Sequence, residues 1–197
     1  MKIEPVNCDD LEEIRTLQPE GWSDIVQKYS YYIDKQFCHP GKIILDAKIV
    51  GVGSVIIMDR TCWLAHIIVA KYYRKRGIGS VIVNELLNIA YLHSVETFLL
   101  IATQLGMPVY EKTGFNVVSK YNFYKRYIQW NEDPNVSNTF EYNDEYYEPI
   151  MELDREVSGE DREAILKEYL NNSFLKTIIL LRDTIFLILE KALFMRI

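Results

Sequence analysis

The chain has 197 residues, 49% hydrophobic and 25% charged, an ordinary globular composition that excludes disordered, collagen-like and low-complexity classes. Fourteen Tyr, eight Phe and three Trp supply bulky core material, so no disulfide or metal staple is needed for folding. The net charge of −6 is uneven: residues 1–130 carry 15 Lys/Arg against 13 Asp/Glu, and residues 131–197 carry 7 against 15, which with no basic stripe argues against a nucleic-acid partner.

Residues 2–7 read as a short strand, and Leu11, Ile14 and Leu17 then recur at helical spacing behind Asp9 and Asp10. Gly21 breaks that helix, and Ile25 to Ile33 form a second one. Gly41 opens an extended region in which Ile43-Ile44-Leu45 and residues 49–57 flank Asp46-Ala47-Lys48, the pattern of a hairpin. A third strand runs from Cys62 to Ala70. From Ile78 to His93 the apolar positions Ile78, Val81, Ile82, Leu86 and Ala90 switch to a helical period. Thr97 to Ala102 is a short apolar strand of a buried sheet. Pro108 sits in the first turn of a short helix that ends at Gly114, and Phe115 to Tyr127 reads as one or two antiparallel strands. The order β-α-α-β-β-β-α-β-α-β predicts a mixed α/β (α+β) sheet, with hairpins early and a strand–helix–strand crossover in the middle.

Residues 131–147 are polar, turn-rich and acidic, and predict a linker. Beyond them Leu153 to Leu170 reads as helix, with a break and fresh start at Ser158-Gly159-Glu160-Asp161. Ile178 to Met195 holds 13 apolar residues interrupted by Arg182, Asp183, Glu190 and Lys191. A spanning helix needs about 20 largely uncharged residues, so a membrane partner is not expected. Lys176, Thr177, Asp183, Thr184, Glu190 and Lys191 share one side of a helical wheel, which predicts a helix buried in the chain or against a partner. Membrane contact, and a strand–turn–strand with Arg182-Asp183 at the turn, are the alternatives. Met1 to Pro5 lacks the apolar stretch of a signal peptide. Cys8, Cys38 and Cys62 are odd in number, with no C-x-x-C and no zinc spacing, so reduced thiols, no metal and a cytoplasmic location are expected.

The strongest local chemical signal is Arg74-Lys75-Arg76-Gly77-Ile78-Gly79-Ser80, set between a strand and a helix. Two glycines let the backbone pass close to a ligand and aim successive N–H groups at it. The helix N-terminus and three basic side chains add positive charge, so a pyrophosphate is the natural guest. A solvated basic turn with glycines for tight packing is the alternative. A dinucleotide fingerprint would need glycine at Ile82, and a P-loop would need Lys-Ser/Thr where Ser80 and Val81 stand.

The segment from Ile67 to Gly79 resembles the acetyl-CoA motif of the GNAT N-acetyltransferases, Arg/Gln-x-x-Gly-x-Gly/Ala between strand and helix. Tyr110-Glu111-Lys112-Thr113-Gly114-Phe115 is similar to that family's second signature, Tyr-x-x-x-Gly-Phe. The run Ala102-Thr103-x-x-Gly106-x-Pro108-x-Tyr110-Glu111 resembles a branch in which the GNAT domain precedes a second GNAT-like domain. Leu153-Asp154-Arg155-Glu156 and Gly159-Glu160-Asp161-Arg162 are similar to the opening helices of that second domain. About fifty residues are too few for a second fold, so residues 148–197 are expected to be a truncated remnant or a packing helix. A homodimer through that helix is the simplest consequence. The expected organisation is a GNAT domain over 1–130, a linker over 131–147 and an extension over 148–197.

The resemblance implies the acyl-CoA N-acyltransferase fold. It also implies acetyl transfer from acetyl-CoA, without a metal, to a primary amine of a small molecule or peptide. It assigns Arg74, Lys75, Arg76, Gly77, Ile78, Gly79 and Ser80 to the pyrophosphate. Ile67, Ile68 and Val69 are assigned to the pantetheine arm, in a splayed gap beside the strand 97–102, and Thr103, Gly106 and Tyr110 also fall to the cofactor. Tyr110 matches the general acid, a phenol with a reference pKa of about 10; a packed helix aromatic is the alternative. Where the family often carries a carboxylate base the chain has Trp63, so His66 on the same strand is the candidate base. Water relayed to a backbone carbonyl is the other route. Trp22, Tyr29, Tyr31, Tyr32 and Phe37 fall where the family shapes its acceptor cleft, and aromatic walls suit an amine, although core packing is the better explanation of any one ring. His39 and His93 carry no supporting context. The rival function is a non-catalytic acyl-CoA-binding sensor, which Trp63 favours.

Overall fold

The computed structural model describes residues 1–121, 139–172, 177–179 and 192–196. In chain order the first elements are β1 (Glu4–Pro5), α1 (Leu11–Arg15), α2 (Ile25–Ile33), β2 (Cys38–Leu45), β3 (Lys48–Met58) and β4 (Thr61–Val69). They are followed by α3 (Ile78–Leu92), β5 (Thr97–Ala102), α4 (Met107–Lys112) and β6 (Asn116–Tyr121). The last are β7 (Thr139–Glu141), α5 (Tyr147–Ser158), α6 (Glu163–Asn172), β8 (Thr177–Ile179) and β9 (Ala192–Arg196). The chain divides into two units, Met1–Lys120 with Ala192–Ile197, and Tyr121–Lys191.

The first unit is built on a seven-stranded mixed sheet of order β1-β2-β3-β4-β5-β9-β6. Asp46 and Ala47, both at positive φ, make the two-residue turn that pairs Leu45 with Lys48, the backbone a twisted hairpin requires. Alternation along the strands sends one set of apolar side chains to each face. Ile43, Val55, Leu64 and Leu100 pack with Ile78, Ile82 and Leu86 of α3 on one face. Val52 and Ile68 pack with Ile14, Ile25, Tyr29 and Tyr32 of α1 and α2 on the other. The helix α3 approaches closely because β3 carries glycine beneath it: a Cβ on Gly53 would stand 2.7 Å from Ile82 and 3.0 Å from Leu86. On the opposite face Lys42 Nζ donates to both oxygens of Asp10 at 2.6 Å, a buried pair that ties the start of α1 to β2.

The strand β4 is irregular along both of its edges. Its parallel ladder with β5 runs from Thr61–Thr97 to Leu64–Leu100 and stops there, although β4 continues to Val69. The strands splay, and the rest of that edge of β4 faces a gap. Against β3, Val52 pairs with Ile68 and Ser54 with Ala65, so His66 and Ile67 together oppose Gly53. This is a β-bulge, in which one strand carries an extra residue and the ladder is interrupted.

The expectation that Ile178 to Met195 forms a helix is corrected at the described residues. β8 pairs with β7, and β9 lies in the sheet between β5 and β6, with Leu99 opposite Arg196. A short apolar run cannot be told from a buried helix segment by periodicity alone, so its pairing in the sheet was not legible from the sequence. The helix invoked for a homodimer is therefore not formed at 192–196. The Arg182-Asp183 turn and residues 122–127 of the expected last strand lie outside the described residues.

In the second unit, residues 139–141 of the segment expected as a linker form β7. The helix α5 ends at Gly159, whose φ of 68° supplies the left-handed cap, and α6 follows, as the break at 158–161 predicts. Arg155 reaches Glu163 at 2.7 Å and Arg162 Nε reaches Asp154 at 3.0 Å, so side chains bridge the break. No described helix is long and apolar enough to cross a membrane.

Candidate active site

The loop after β4 turns into α3 through Lys75 and Gly77, at φ 61° and 81°. No side chain caps the start of α3, so the backbone N–H groups of its first turn are left for another acceptor. Together with the helix dipole they have the character of an anion-binding helix start. Residues 74–77 are exposed, while Ile78 sends its side chain into the core and can meet a ligand only through its backbone. Arg74 Nε donates to the carbonyl of Val69 at 3.0 Å, bracing the loop against the end of β4. Arg76 lies over the Tyr73 ring, 5.2 Å from its centroid.

Ile67, Ile68 and Val69 line the splayed part of β4. Ile68 is buried on the α1/α2 face, and Ile67 and Val69 pack on the α3 face. Their side chains thus point above and below the sheet, and what they offer the gap is the strand edge, with its N–H and C=O groups.

His66 is in the bulge at φ 49°, a left-handed conformation that bulky residues rarely adopt. Ala65 packs on the α1/α2 face, and the extra residue keeps His66 on that face too, beside α2. There Tyr29 Oη donates to the His66 carbonyl at 2.9 Å, and Tyr32 Oη lies 2.8 Å from His66 Nδ1. The Trp22 ring meets the imidazole edge-on at 6.0 Å. Burial, with the Lys28 charge second, lowers the His66 pKa to about 4, so the ring is neutral at physiological pH. The phenol of Tyr29 is raised well above its usual value by burial, and the phenols of Tyr32 and Tyr110 add to the rise.

Tyr110 reaches this place from α4. Thr103 Oγ1 accepts the Gly106 N–H at 3.2 Å, shaping the turn into that helix. A Cβ on Gly106 would come within 3.0 Å of the Tyr110 ring. Thr103 and Gly106 therefore build the turn that presents Tyr110. Its ring stands edge-on to Phe115 at 6.2 Å, and burial pushes the phenol up to about 12.

His66 lies on the α1/α2 face beside Tyr32, whereas Tyr110 packs against the α3-face cluster; what links them is Tyr29, which holds the His66 carbonyl and whose phenol is raised further by that of Tyr110. Trp63 pairs with Ile56 and Leu99 within the sheet and offers no proton acceptor. Sequence reasoning missed the bulge, and it placed Tyr29 and Tyr32 as acceptor-cleft or core rings without seeing that they hold His66; glycine at 53 inside a strand was the available sign, since such glycines mark bulges or close approaches. His39 and His93, given no context by sequence, meet with ring centroids 4.8 Å apart. Among the described residues no group of three or more His, Cys, Asp or Glu could hold a metal ion. The cysteines Cys8, Cys38 and Cys62 are unbridged.

Residues 9–115 match the family profile described as Acetyltransferase (GNAT) family. No curated relative matches the sequence. Among solved structures, a Pyrococcus horikoshii protein classed as an acetyltransferase superposes with a TM-score of 0.64 at 24% identity, covering 87% of this chain and 62% of its own. The chain therefore spans less than two thirds of that protein. The ribosomal-protein-S18-alanine N-acetyltransferase of Escherichia coli has a TM-score of 0.58 at 13% identity, over 99% of this chain and 91% of its own. The PaiA N-acetyltransferase of Thermoplasma acidophilum, solved with coenzyme A, has a TM-score of 0.52 at 15% identity, over 59% and 89%. At such identities these likenesses speak for the fold. The profile match extends from the first helical turn through Phe115, more than half of the residues, and the chain belongs to the acetyltransferase (GNAT) family.

Proposed function

We propose that the chain is a cytoplasmic N-acetyltransferase that moves an acetyl group from acetyl-CoA to a primary amine of a small-molecule or peptide acceptor. The observation that carries this reading is the uncapped start of α3, entered through a left-handed glycine, beside the splayed edge of β4. That pairing fits a pyrophosphate joined to an amide-bearing arm. When bound, acyl-CoA supplies an activated thioester: the amine nitrogen bonds to the acyl carbon, the carbon–sulphur bond breaks and the thiol leaves.

The chain's own groups divide the remaining work. The N–H groups of Gly77 to Ser80 hold the pyrophosphate, and Arg74, Lys75 and Arg76 add charge around it. The edge of β4 from Ile67 to Val69 aligns the arm. Tyr110, raised to about 12, keeps its proton throughout the physiological range. It is a weaker acid than a thiol, whose reference pKa is about 8.5, so it meets the developing charge on sulphur first as a hydrogen-bond donor. His66 stays neutral and takes the amine proton or passes it to water, and its pKa near 4 makes it a weak base that must act by position.

Thermal unfolding with and without acetyl-CoA tests the reading. At a hundred times its dissociation constant the ligand should stabilise the native state by about 2.7 kcal/mol. The shift should vanish in Gly77→Glu, and its absence in the wild type would end the proposal. Tyr110→Phe should slow acetyl transfer steeply while leaving cofactor affinity nearly unchanged. A second reading, a non-catalytic acyl-CoA sensor, is favoured by Trp63 and by the weakness of His66 as a base. It predicts the same thermal shift with no transfer to any member of an amine panel.

A further inference from the structure

The residue in the β4 bulge is held twice by one helix. Tyr29 and Tyr32 lie one turn apart on α2, and they grip the backbone carbonyl and the side chain of the same residue, His66. Such a grip is what a non-glycine residue at φ 49° requires, because left-handed backbone persists only where the surroundings over-determine it. The Tyr29 bond has a further geometric effect. The carbonyl of His66 and the N–H of Ile67 belong to one planar peptide unit, which is trans, there being no cis peptide among the described residues. In a trans unit the two groups point in opposite directions. A phenol that fixes where the carbonyl points therefore fixes where the Ile67 N–H points, in the opposite direction within the same peptide plane.

Resting on the acetyltransferase reading, we propose that Tyr29 is a positioning residue: by holding the His66 carbonyl it aims the Ile67 N–H at the thioester carbonyl of the bound acyl donor. Tyr29 touches no substrate itself; it is fully buried between α2, to which it belongs, and the sheet. It acts through the one peptide that the bulge has released from regular pairing. Tyr32 has a separate part in this grip, since it holds the imidazole and not the backbone.

The test reads the bound thioester directly. Acetyl-CoA labelled with 13C at the acetyl carbonyl is added to the wild type, to Tyr29→Phe and to the double variant Tyr29→Phe/His66→Gly, and the carbonyl stretch is recorded by difference infrared spectroscopy. Affinities for acetyl-CoA and for CoA are measured alongside. Phenylalanine keeps the buried ring and removes only the hydroxyl. The wild type should show the carbonyl band moved to lower frequency on binding. Tyr29→Phe should lose that shift and about fivefold of its preference for acetyl-CoA over CoA, the worth of one modest hydrogen bond, while CoA affinity stays constant.

Glycine takes positive φ without penalty, so the double variant should recover much of the shift. That recovery would not follow from a general loosening of the fold. It also supplies a folded protein for the comparison if the single variant is unstable. A Tyr29→Phe protein with the full wild-type shift, or a wild type that binds acetyl-CoA with no shift, overturns the proposal and leaves the acetyltransferase reading standing. A folded wild type that binds neither acetyl-CoA nor CoA removes both.

Discussion

Alanine at position 53 tests the packing on which the site is built. The added Cβ would lie 2.7 Å from Ile82 and 3.0 Å from Leu86, both on α3, and 3.1 Å from Ile67 in the bulge. Three neighbours on two elements would have to yield together, so no single rotamer change relieves the clash. Overpacking of this kind costs about 1–3 kcal/mol. For a chain of this size each kcal/mol lowers Tm by about 2–4 °C, so a fall of about 2–12 °C is expected. Displacement of Ile67 should also weaken acetyl-CoA binding. Gly79→Ala is the internal control, because its Cβ would meet Val109 and Val69 at 3.6–3.8 Å, which is ordinary contact. Alanine also favours the helix by up to about 1 kcal/mol, so that variant should hold or raise Tm. Scanning calorimetry of both variants, with and without acetyl-CoA, is the assay. A Gly53→Ala protein that melts with the wild type would refute the claim that glycine there is required by the approach of α3.

Lys42→Met strands the partly buried carboxylate of Asp10 and should cost about 3 kcal/mol in chemical unfolding, whereas Lys42→Met/Asp10→Leu should cost less, keeping only the loss of the Asn7 N–H bond that Asp10 also accepts; equal losses in the two would contradict this. The hydroxyl of Ser54 is buried on β3 without a hydrogen-bond partner among the described residues. Ser54→Ala should therefore stabilise the protein by about 1 kcal/mol, seen as a higher Tm, and a lower Tm would mean that the hydroxyl is satisfied. His66 titrates near 4 in the native state and near 6.5 when unfolded. The unfolded chain then binds more protons between those values, so this stabilising contribution is full above pH 6.5 and fades as pH falls towards 4. His66→Asn, which tolerates the left-handed backbone, should flatten that part of the acid limb in urea unfolding at pH 7 and 4.5. An unchanged slope would exclude His66 as its source, leaving His39, also lowered by burial, to account for it.

The parts of the fold that were legible in sequence are those whose determinants are local. Ile25–Ile33 and Thr97–Ala102 form with the expected bounds because helical period and a bounded apolar run mark them. The turn at Gly77 was legible because its positive φ leaves a mark in residue type. The bulge was not, since a left-handed histidine has no marker of its own. Its conformation is held by tyrosines 37 and 34 residues away in sequence. The C-terminal strand was misread for a related reason. Only its neighbours in space, β5 and β6, decide whether an apolar run is a helix or a doubly paired strand. Tyr110 was found through a motif, but its dependence on Gly106 for room emerges only when the distance across the turn is known.

The insertion of β9 beside β5 has a consequence in time. The two strands are adjacent in the sheet, yet about ninety residues separate Ala102 from Ala192 along the chain. At a synthesis rate of about 5–20 residues per second, β5 is made about 5–18 s before the strand that covers it. Throughout that interval its outer N–H and C=O groups can pair with any other extended segment, including one from a neighbouring nascent chain. Premature termination before residue 192 would make that temporary state permanent, so the yield of soluble protein should depend on the last strand more than on any loop near the chemistry.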